Sequence, residues 1–185
     1  MSGYDGTHRA GYSMSTKTTR VVVGVSPTLT GLAAIRVAVD EARLHGAELI
    51  AVRAWAFKSG WRDGATRVWR QEIARQAEHT LTAAFSAAMG GPPDDLPVQM
   101  IVCEGLPEKV LVAQADRADD LLVIGAPESG WHLNRTVVVR YCARRARCRL
   151  LVVPPPELAR VGRTGSLARS LRREADGFAR ANVHR

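Results

Sequence analysis

The residues best suited to chemistry follow the apolar run at 121–125, which has the composition of a strand buried on both faces. The loop after it carries Gly125, Glu128 and Gly130 and leads into a helical pattern that begins near Asn134. In α/β sheets, phosphates bind where such a loop leaves a parallel strand and enters a helix, because free backbone amides and the helix dipole meet there. The sequence therefore predicts the position of an anion site at this loop.

The side chains around this loop supply only part of the chemistry that a phosphate site needs. Arg135 offers a guanidinium and Thr136 a hydroxyl. Glu128 instead places a carboxylate beside any bound phosphate, where a glycine would expose a backbone N–H. Each hydrogen bond lost to a charged group costs about 1.5–3 kcal/mol, so two or three losses move a micromolar site to roughly millimolar affinity or weaker. We expect no tight nucleotide binding.

Catalytic residues are not indicated. Glu104, Asp119 and Asp120 lie near strand ends, but none is spaced usefully from a His, a Lys or a nucleophile, and the Asp pair is interpreted as a turn before a strand. The three cysteines have no metal-ligand spacing and are predicted to pack as small apolar side chains: Cys103, Cys142 and Cys148. We expect neither enzymatic activity nor a metal site.

The elements that would position these residues can be predicted from the sequence. Apolar runs alternate with helical patterns along most of the chain. The predicted strands are 20–25, 48–55, 98–103, 120–125 and 149–153. The first predicted helix begins after a cap at Thr28 or Thr30 and ends at His45. The other three predicted helices span 66–89, 107–117 and 135–147. This alternation predicts a doubly wound parallel sheet over residues 19–155, with a flexible N-terminal tail at 1–18 and a basic, partly helical extension at 156–185.

Two helices have clear predicted packing faces. The second helix has an apolar stripe formed by Trp69, Ile73, Ala77, Leu81 and Phe85. The fourth helix would pack on the sheet through Val139, Cys142, Ala143 and Ala146.

The net charge of +8 is unevenly distributed. Residues 21–134 carry a net −4, whereas 135–149 carry +6 and 157–185 carry +4. Arg140, Arg144 and Arg147 recur at a spacing that places them on one helical face. This face and the basic tail are interpreted either as an ordinary solvated surface or as a binding surface for an acidic protein or nucleic acid.

The order and spacing of several motifs across residues 19–155 resemble the universal stress protein family. The motifs lie at 21–25 with 32–35, 46–49 with 54–55, 104–107, and 118–125 with 147–154. The resemblance implies a flavodoxin-like (Rossmann-like) five-stranded parallel sheet in the order 3-2-1-4-5, with helices on both faces. It also implies a homodimer in which the last strands, Arg149–Val153, meet and protect an exposed edge.

Nucleotide-binding members of that family carry a Gly-x-x-Gly loop, a later Gly-Ser or Gly-Thr pair, and an Asp directly after the first strand. This chain keeps Gly125 but has Glu128 at the second glycine, Thr136-Val137 at the pair and Ser26 at the Asp position. The resemblance thus implies a degenerate ATP site formed by Ser26, Pro27, Thr28, Val52, Gly125, Glu128, Gly130, Arg135, Thr136 and Val137.

The functional prediction is a cytoplasmic stress-response or regulatory protein that acts through protein contacts. The N-terminal residues lack the apolar core of a signal peptide, and no run approaches the ~20 apolar residues of a membrane span. Two alternatives remain open at this point. One is a nucleotide sensor that binds ATP or AMP, and the other is a binding module that uses the basic helix and tail.

Overall fold

In the computed structural model, residues 18–56, 67–127 and 133–156 are described. Five strands alternate with four helices over these ranges, as the sequence predicts. The elements are β1 (Arg20–Gly24), α1 (Leu29–His45), β2 (Glu48–Trp55), α2 (Arg67–Met89), β3 (Val98–Glu104), α3 (Pro107–Gln114), β4 (Asp120–Gly125), α4 (Leu133–Arg145) and β5 (Arg149–Val153).

The five strands form one parallel sheet in the order β3-β2-β1-β4-β5. At its centre, Val22 of β1 lies between Ile50 of β2 and Leu122 of β4. This arrangement confirms the flavodoxin-like sheet and its order. The strand order reverses between β1 and β4, and ligands of open α/β sheets bind at such a reversal, beyond the carboxyl ends of the strands.

The core lies on both faces of the sheet because successive side chains of a strand point to opposite sides. Val21 and Val23 pack with α1 and α2, whereas Val22 packs with α3 and α4. All three valines are fully buried, which confirms that the first apolar run is a central strand.

Helix α1 begins and ends with the predicted residues. Thr28 is its N-cap, and the Thr28 hydroxyl accepts a hydrogen bond from the Gly31 amide. At the other end, Gly46 adopts a left-handed conformation with φ of 59° and closes the helix.

The predicted stripe of α2 is correct toward the C-terminal end of the helix and wrong at its first turns. Ala77, Leu81 and Phe85 are buried, but Trp69 is 57% exposed. The 23 residues of α2 span about 35 Å, whereas the eight residues of β2 span about 26 Å. The helix is therefore longer than the strand on which it packs, and its N-terminal turns extend beyond the core.

Helix α3 ends three residues before the predicted end, because the Asp120 carboxylate binds the backbone just beyond the helix. The backbone N–H of Arg117 donates to Asp120 Oδ2 at 2.9 Å. The turn interpretation is correct for Asp119 but incomplete for Asp120, which begins β4 and is fully buried.

Asp120 and Arg20 form a two-point ion pair at the amino-terminal edge of the sheet. Arg20 Nε lies 2.9 Å from Asp120 Oδ1, and Arg20 Nη2 lies 2.7 Å from Asp120 Oδ2. Arg20 Nη2 also lies 2.7 Å from Asp116 Oδ1, and this hydrogen bond lowers the pKa of the Asp116 carboxyl. The hydrogen bonds that Arg20 donates to these carboxylates, above all to Asp120, raise the pKa of Arg20 above its usual range. The cluster joins β1, β4 and the segment after α3, at the edge opposite the candidate site.

Candidate functional site

A cavity of about 340 Å³ opens at the carboxyl ends of β1, β2 and β4, where the strand order reverses. Its described lining is Gly24, Val25, Ser26, Pro27, Thr28, Thr30, Val52, Arg53, Ala54, Pro107, Leu111, Ile124, Gly125, Ala126 and Val138. Cavities of this size hold small organic ligands in other proteins.

Half of the predicted site residues meet at this cavity. Ser26, Pro27 and Thr28 approach it from the β1–α1 turn, Val52 from β2, and Gly125 from the end of β4. Residues far apart in the sequence are brought together because parallel strands end at the same edge of the sheet.

The other predicted site residues lie elsewhere or outside the described part of the chain. Glu128 and Gly130 fall outside the described residues. Arg135 and Thr136 belong to the first turns of α4, and their side chains are likewise not described. Val137 is 48% exposed and lines a different groove, whereas its neighbour Val138 lines the cavity. Helix α4 begins at Leu133, two residues before the predicted start. The family pattern that placed Val137 at the site does not specify which face of α4 borders the cavity.

The polar part of the cavity is a chain of three hydroxyls. Ser26 Oγ lies 3.0 Å from Thr28 Oγ1, which lies 3.3 Å from Thr30 Oγ1. Thr28 Oγ1 also accepts from the Gly31 amide at 3.1 Å. These hydroxyls bond to one another and to the first turn of α1, so much of their hydrogen-bonding capacity is already used.

Arg53 is a lining residue that the sequence reasoning did not identify. It lies near the end of β2, and its Nη1 donates to the carbonyl oxygen of Val25 at 3.1 Å. A charged residue directly after Val52, in a strand that is otherwise apolar beyond Glu48, was the signal available in the sequence. Arg53 joins the ends of β1 and β2 and adds positive charge to the cavity wall.

Gly31 and Gly125 permit a close approach between the end of β4 and the first turn of α1. A Cβ on Gly125 would lie 2.7 Å from both the carbonyl carbon and the oxygen of Thr30. A Cβ on Gly31 would lie 2.2 Å from both the carbonyl oxygen and the Oγ of Ser26. Both glycines therefore have a packing role that is independent of any ligand.

Substitution of Gly31 by Ala is expected to destabilise the protein, although Gly→Ala inside a helix ordinarily stabilises by about 0.5–1 kcal/mol. The added methyl group overlaps Ser26, and such overpacking costs about 1–3 kcal/mol. Urea denaturation monitored by circular dichroism measures the change.

The control for this experiment is Ser86→Ala on the exposed face of α2, which should change the unfolding free energy by less than about 0.5 kcal/mol. Ser26→Ala should not rescue the Gly31 variant, since the Ser26 carbonyl oxygen remains in place. A stabilised Gly31→Ala variant would contradict the close approach.

The cysteines lie on the α3 and α4 side of the sheet or at its edge. Cys142 is fully buried, and burial raises the pKa of its thiol to about 11. Cys148 is half-buried, and burial also raises its pKa. Among the described residues, no group of three or more His, Cys, Asp or Glu side chains is arranged to hold a metal ion. None of the helices within the described ranges is long and apolar enough to cross a bilayer.

The predicted arginine face of α4 is correct for two residues and wrong for Arg147. Arg140 and Arg144 line one shallow groove, but α4 ends at Arg145, so Arg147 lies in the bend that leads to β5. The predicted sheet-facing stripe is wrong at Ala143, which is exposed. The predicted stripe is confirmed at Val139 and Cys142, and at Ala146 directly after the helix, and Val138 packs in the same cluster.

The parallel sheet, its order and the cavity at the strand reversal place the chain in the flavodoxin-like α/β class. The model of the universal stress protein family matches residues 17–154. Because this match covers most of the chain, the protein belongs to the universal stress protein family.

Two of the solved structures that resemble this chain, with TM-scores of 0.58 and 0.62, share its fold. Universal stress protein UspA from Lactobacillus plantarum is 22% identical, with a TM-score of 0.58 over 74% of this chain and 98% of its own. A hypothetical protein solved as a test case of structural genomics is 13% identical, with a TM-score of 0.62 over 76% of this chain and 98% of its own. A universal stress protein in complex with cAMP is 26% identical, with a TM-score of 0.49 over 76% of this chain and 99% of its own. A search of curated proteins found no significant match.

Proposed function

We propose that this universal stress protein is a cytoplasmic regulator in a stress response and acts by contacting other proteins, without tight nucleotide binding. The observation that carries the proposal is the hydroxyl chain at the cavity. Ser26 stands at the position after β1 where nucleotide-binding members have an Asp, and it bonds to Thr28 instead of presenting a carboxylate to a ribose. The cavity is therefore present, while a hydroxyl stands where the nucleotide-binding members have a carboxylate.

The charged residues in and after the strands that border the cavity also disfavour a triphosphate. Glu128 follows β4 by three residues, at the second glycine of the family's loop, and adds negative charge to the sequence there. Arg53 contributes a positive charge, but its guanidinium donates to the Val25 carbonyl at the end of β1. This arrangement stabilises the junction between β1 and β2, so we do not expect Arg53 to compensate for the altered loop.

Titration calorimetry with ATP and with AMP tests this proposal. The wild-type protein should show no saturation below about 1 mM ligand, in line with the loss of two or three charge-assisted hydrogen bonds. A Ser26→Asp/Glu128→Gly variant restores the family's residue types and should bind ATP at least about tenfold more tightly. Ser86→Asp/Glu78→Gly, on exposed positions of α2, is the matched control and should not differ from wild type. Saturable micromolar binding by the wild-type protein would overturn the proposal.

The second candidate function is a nucleotide sensor, and the cavity itself favours it. The volume of about 340 Å³ lies within the range of small-molecule sites, and its walls include the apolar side chains of Val52, Leu111 and Ile124. If the protein is a sensor, the wild type should bind ATP or AMP with micromolar affinity. The Thr30→Trp substitution, which fills the cavity, should then abolish this binding. The same calorimetry therefore decides between the two candidates.

We further propose a homodimer that forms through β5. This strand pairs with β4 on one side only, and Leu150, Leu151 and Val152 are half-buried at the edge of the sheet. An edge strand of this kind exposes backbone groups that can pair with a second copy. Light scattering over a range of protein concentrations should give the mass of a dimer, and a monomer at every concentration would refute this assembly.

A further inference from the structure

The exposed side of α4 carries a groove that is separate from the cavity. Its volume is about 270 Å³, and it is lined by Val137, Arg140, Tyr141, Arg144 and Arg145, which we term the α4 arginine groove. Residues at this spacing share one helical face. The groove thus combines two residues with apolar surface, Val137 and Tyr141, with three guanidinium groups.

The three arginines of the groove are available for a partner. All three are exposed, and no carboxylate of the described residues forms an ion pair with any of them. By contrast, Arg20 and Arg43 elsewhere in the described structure bind carboxylates at 2.7–2.9 Å. The planar guanidinium group suits two-point recognition of carboxylates.

We infer that the α4 arginine groove binds a short acidic segment of a partner protein, one that also carries an apolar anchor side chain. This inference rests on the proposed function, because it identifies the surface through which the protein contacts its partners. The carboxylates of the segment pair with Arg140, Arg144 and Arg145, while the anchor packs against Val137 and Tyr141.

The apolar surface favours a peptide over a nucleic acid. Val137 is a large apolar residue left 48% exposed, and a phosphate backbone would not remove it from water. The groove spans residues 137–145, about 12 Å along the helix axis. A longer polyanion would extend past it toward α3, which packs beside α4 and carries Glu108, and onto a body whose residues 21–134 have a net charge of −4. These features suit a short acidic segment.

Charge also argues against a segment of this chain as the occupant. Outside the described residues, segments 1–17 and 57–66 each carry a net charge of +1. The segment 157–185 carries seven arginines against three acidic residues, and 128–132 has a single carboxylate in five residues directly before α4. None of these segments is strongly acidic, so we assign the complementary charge to another protein.

Fluorescence anisotropy with a defined probe tests the inference on the full chain. The probe is a fluorescein-labelled peptide of five residues, made of Glu, Asp and Ser with one central Leu, whose extended length of roughly 16 Å is close to that of the groove. Comparison ligands replace the acids by Gln and Asn, replace the Leu by Ser, or substitute a five-nucleotide oligouridylate. Arg140→Gln/Arg144→Gln should weaken binding of the acidic probe about tenfold, as expected for the loss of two charge-assisted contacts. Val137→Ser should weaken the Leu-containing probe more than the Ser-containing one.

The matched control is Arg67→Gln/Arg75→Gln on α2, which removes the same charge from exposed positions and should change the affinity less than about twofold. Urea denaturation confirms that each variant folds. Equal binding of the acidic and neutral peptides, unchanged binding by the α4 variant, or tighter binding of the oligouridylate would each overturn the inference. Such a result would not refute the proposed function. Nucleotide calorimetry measures binding at the cavity beside the strand ends, not at the α4 arginine groove, and it tests the proposed function separately.

Discussion

Replacement of Asp120 by Ala is expected to lower the free energy of unfolding by about 3 kcal/mol, because it leaves Arg20 largely buried without its main counter-charge. Arg20 is 15% exposed and makes two hydrogen bonds to the Asp120 carboxylate. The same carboxylate accepts from the Arg117 amide, which would also lose its partner. Asp116 still binds Arg20, so the loss should lie at the lower end of the range for broken buried ion pairs. Urea denaturation gives the value.

Two further variants test the physical cause of this loss. Asp95→Ala breaks the pair with Arg43, in which both side chains are about half exposed, and should destabilise the protein much less than Asp120→Ala because solvent screens an exposed pair. Arg20→Met/Asp120→Leu removes both charges and should be less destabilising than Asp120→Ala, since no buried charge remains unpaired. If Asp120→Ala and Asp95→Ala had equal effects, the buried pair would not stabilise the fold as described.

The strands were the most predictable part of the fold. The bounds of β2, β4 and β5 match the sequence prediction, because apolar runs of that length are bordered by polar or turn-forming residues. The order of the strands depended on the family resemblance and not on the hydrophobic pattern, which gives no information on which strands are neighbours.

The ends of α3 and α4 were less predictable because contacts distant in the sequence determine them. Helical periodicity continues to Arg117, yet α3 ends at Gln114, where the chain turns to bring the Arg117 amide to Asp120. Local propensity contains no signal for that contact. The match of Thr136-Val137 to the family's pair likewise does not reveal that Val138, and not Val137, lines the cavity.

The residues of the candidate site were likewise only partly predictable from the sequence. Ser26, Thr28 and Gly125 were found because each lies at or shortly after the end of a strand that the sequence identifies, and Val52 was found from the family resemblance. Arg53 and Gly31 were missed because their roles depend on close approaches to Val25 and Ser26. Such approaches follow from how strands and helices pack and are not visible in the spacing of residue types.

Phe85→Ala should be the most destabilising single truncation in α2, at about 3–5 kcal/mol. Phe85 is the largest of the fully buried side chains in the described structure, and it packs in the core that α1 and α2 form with the sheet. Trp69→Ala removes a larger side chain from the same helix, but Trp69 is 57% exposed, and its loss should cost about 1 kcal/mol or less. Chemical denaturation of both variants therefore tests whether the N-terminal turns of α2 lie outside the packed core. A larger loss for Trp69→Ala would show that the N-terminal turns of α2 are part of the core, as the hydrophobic periodicity alone predicts.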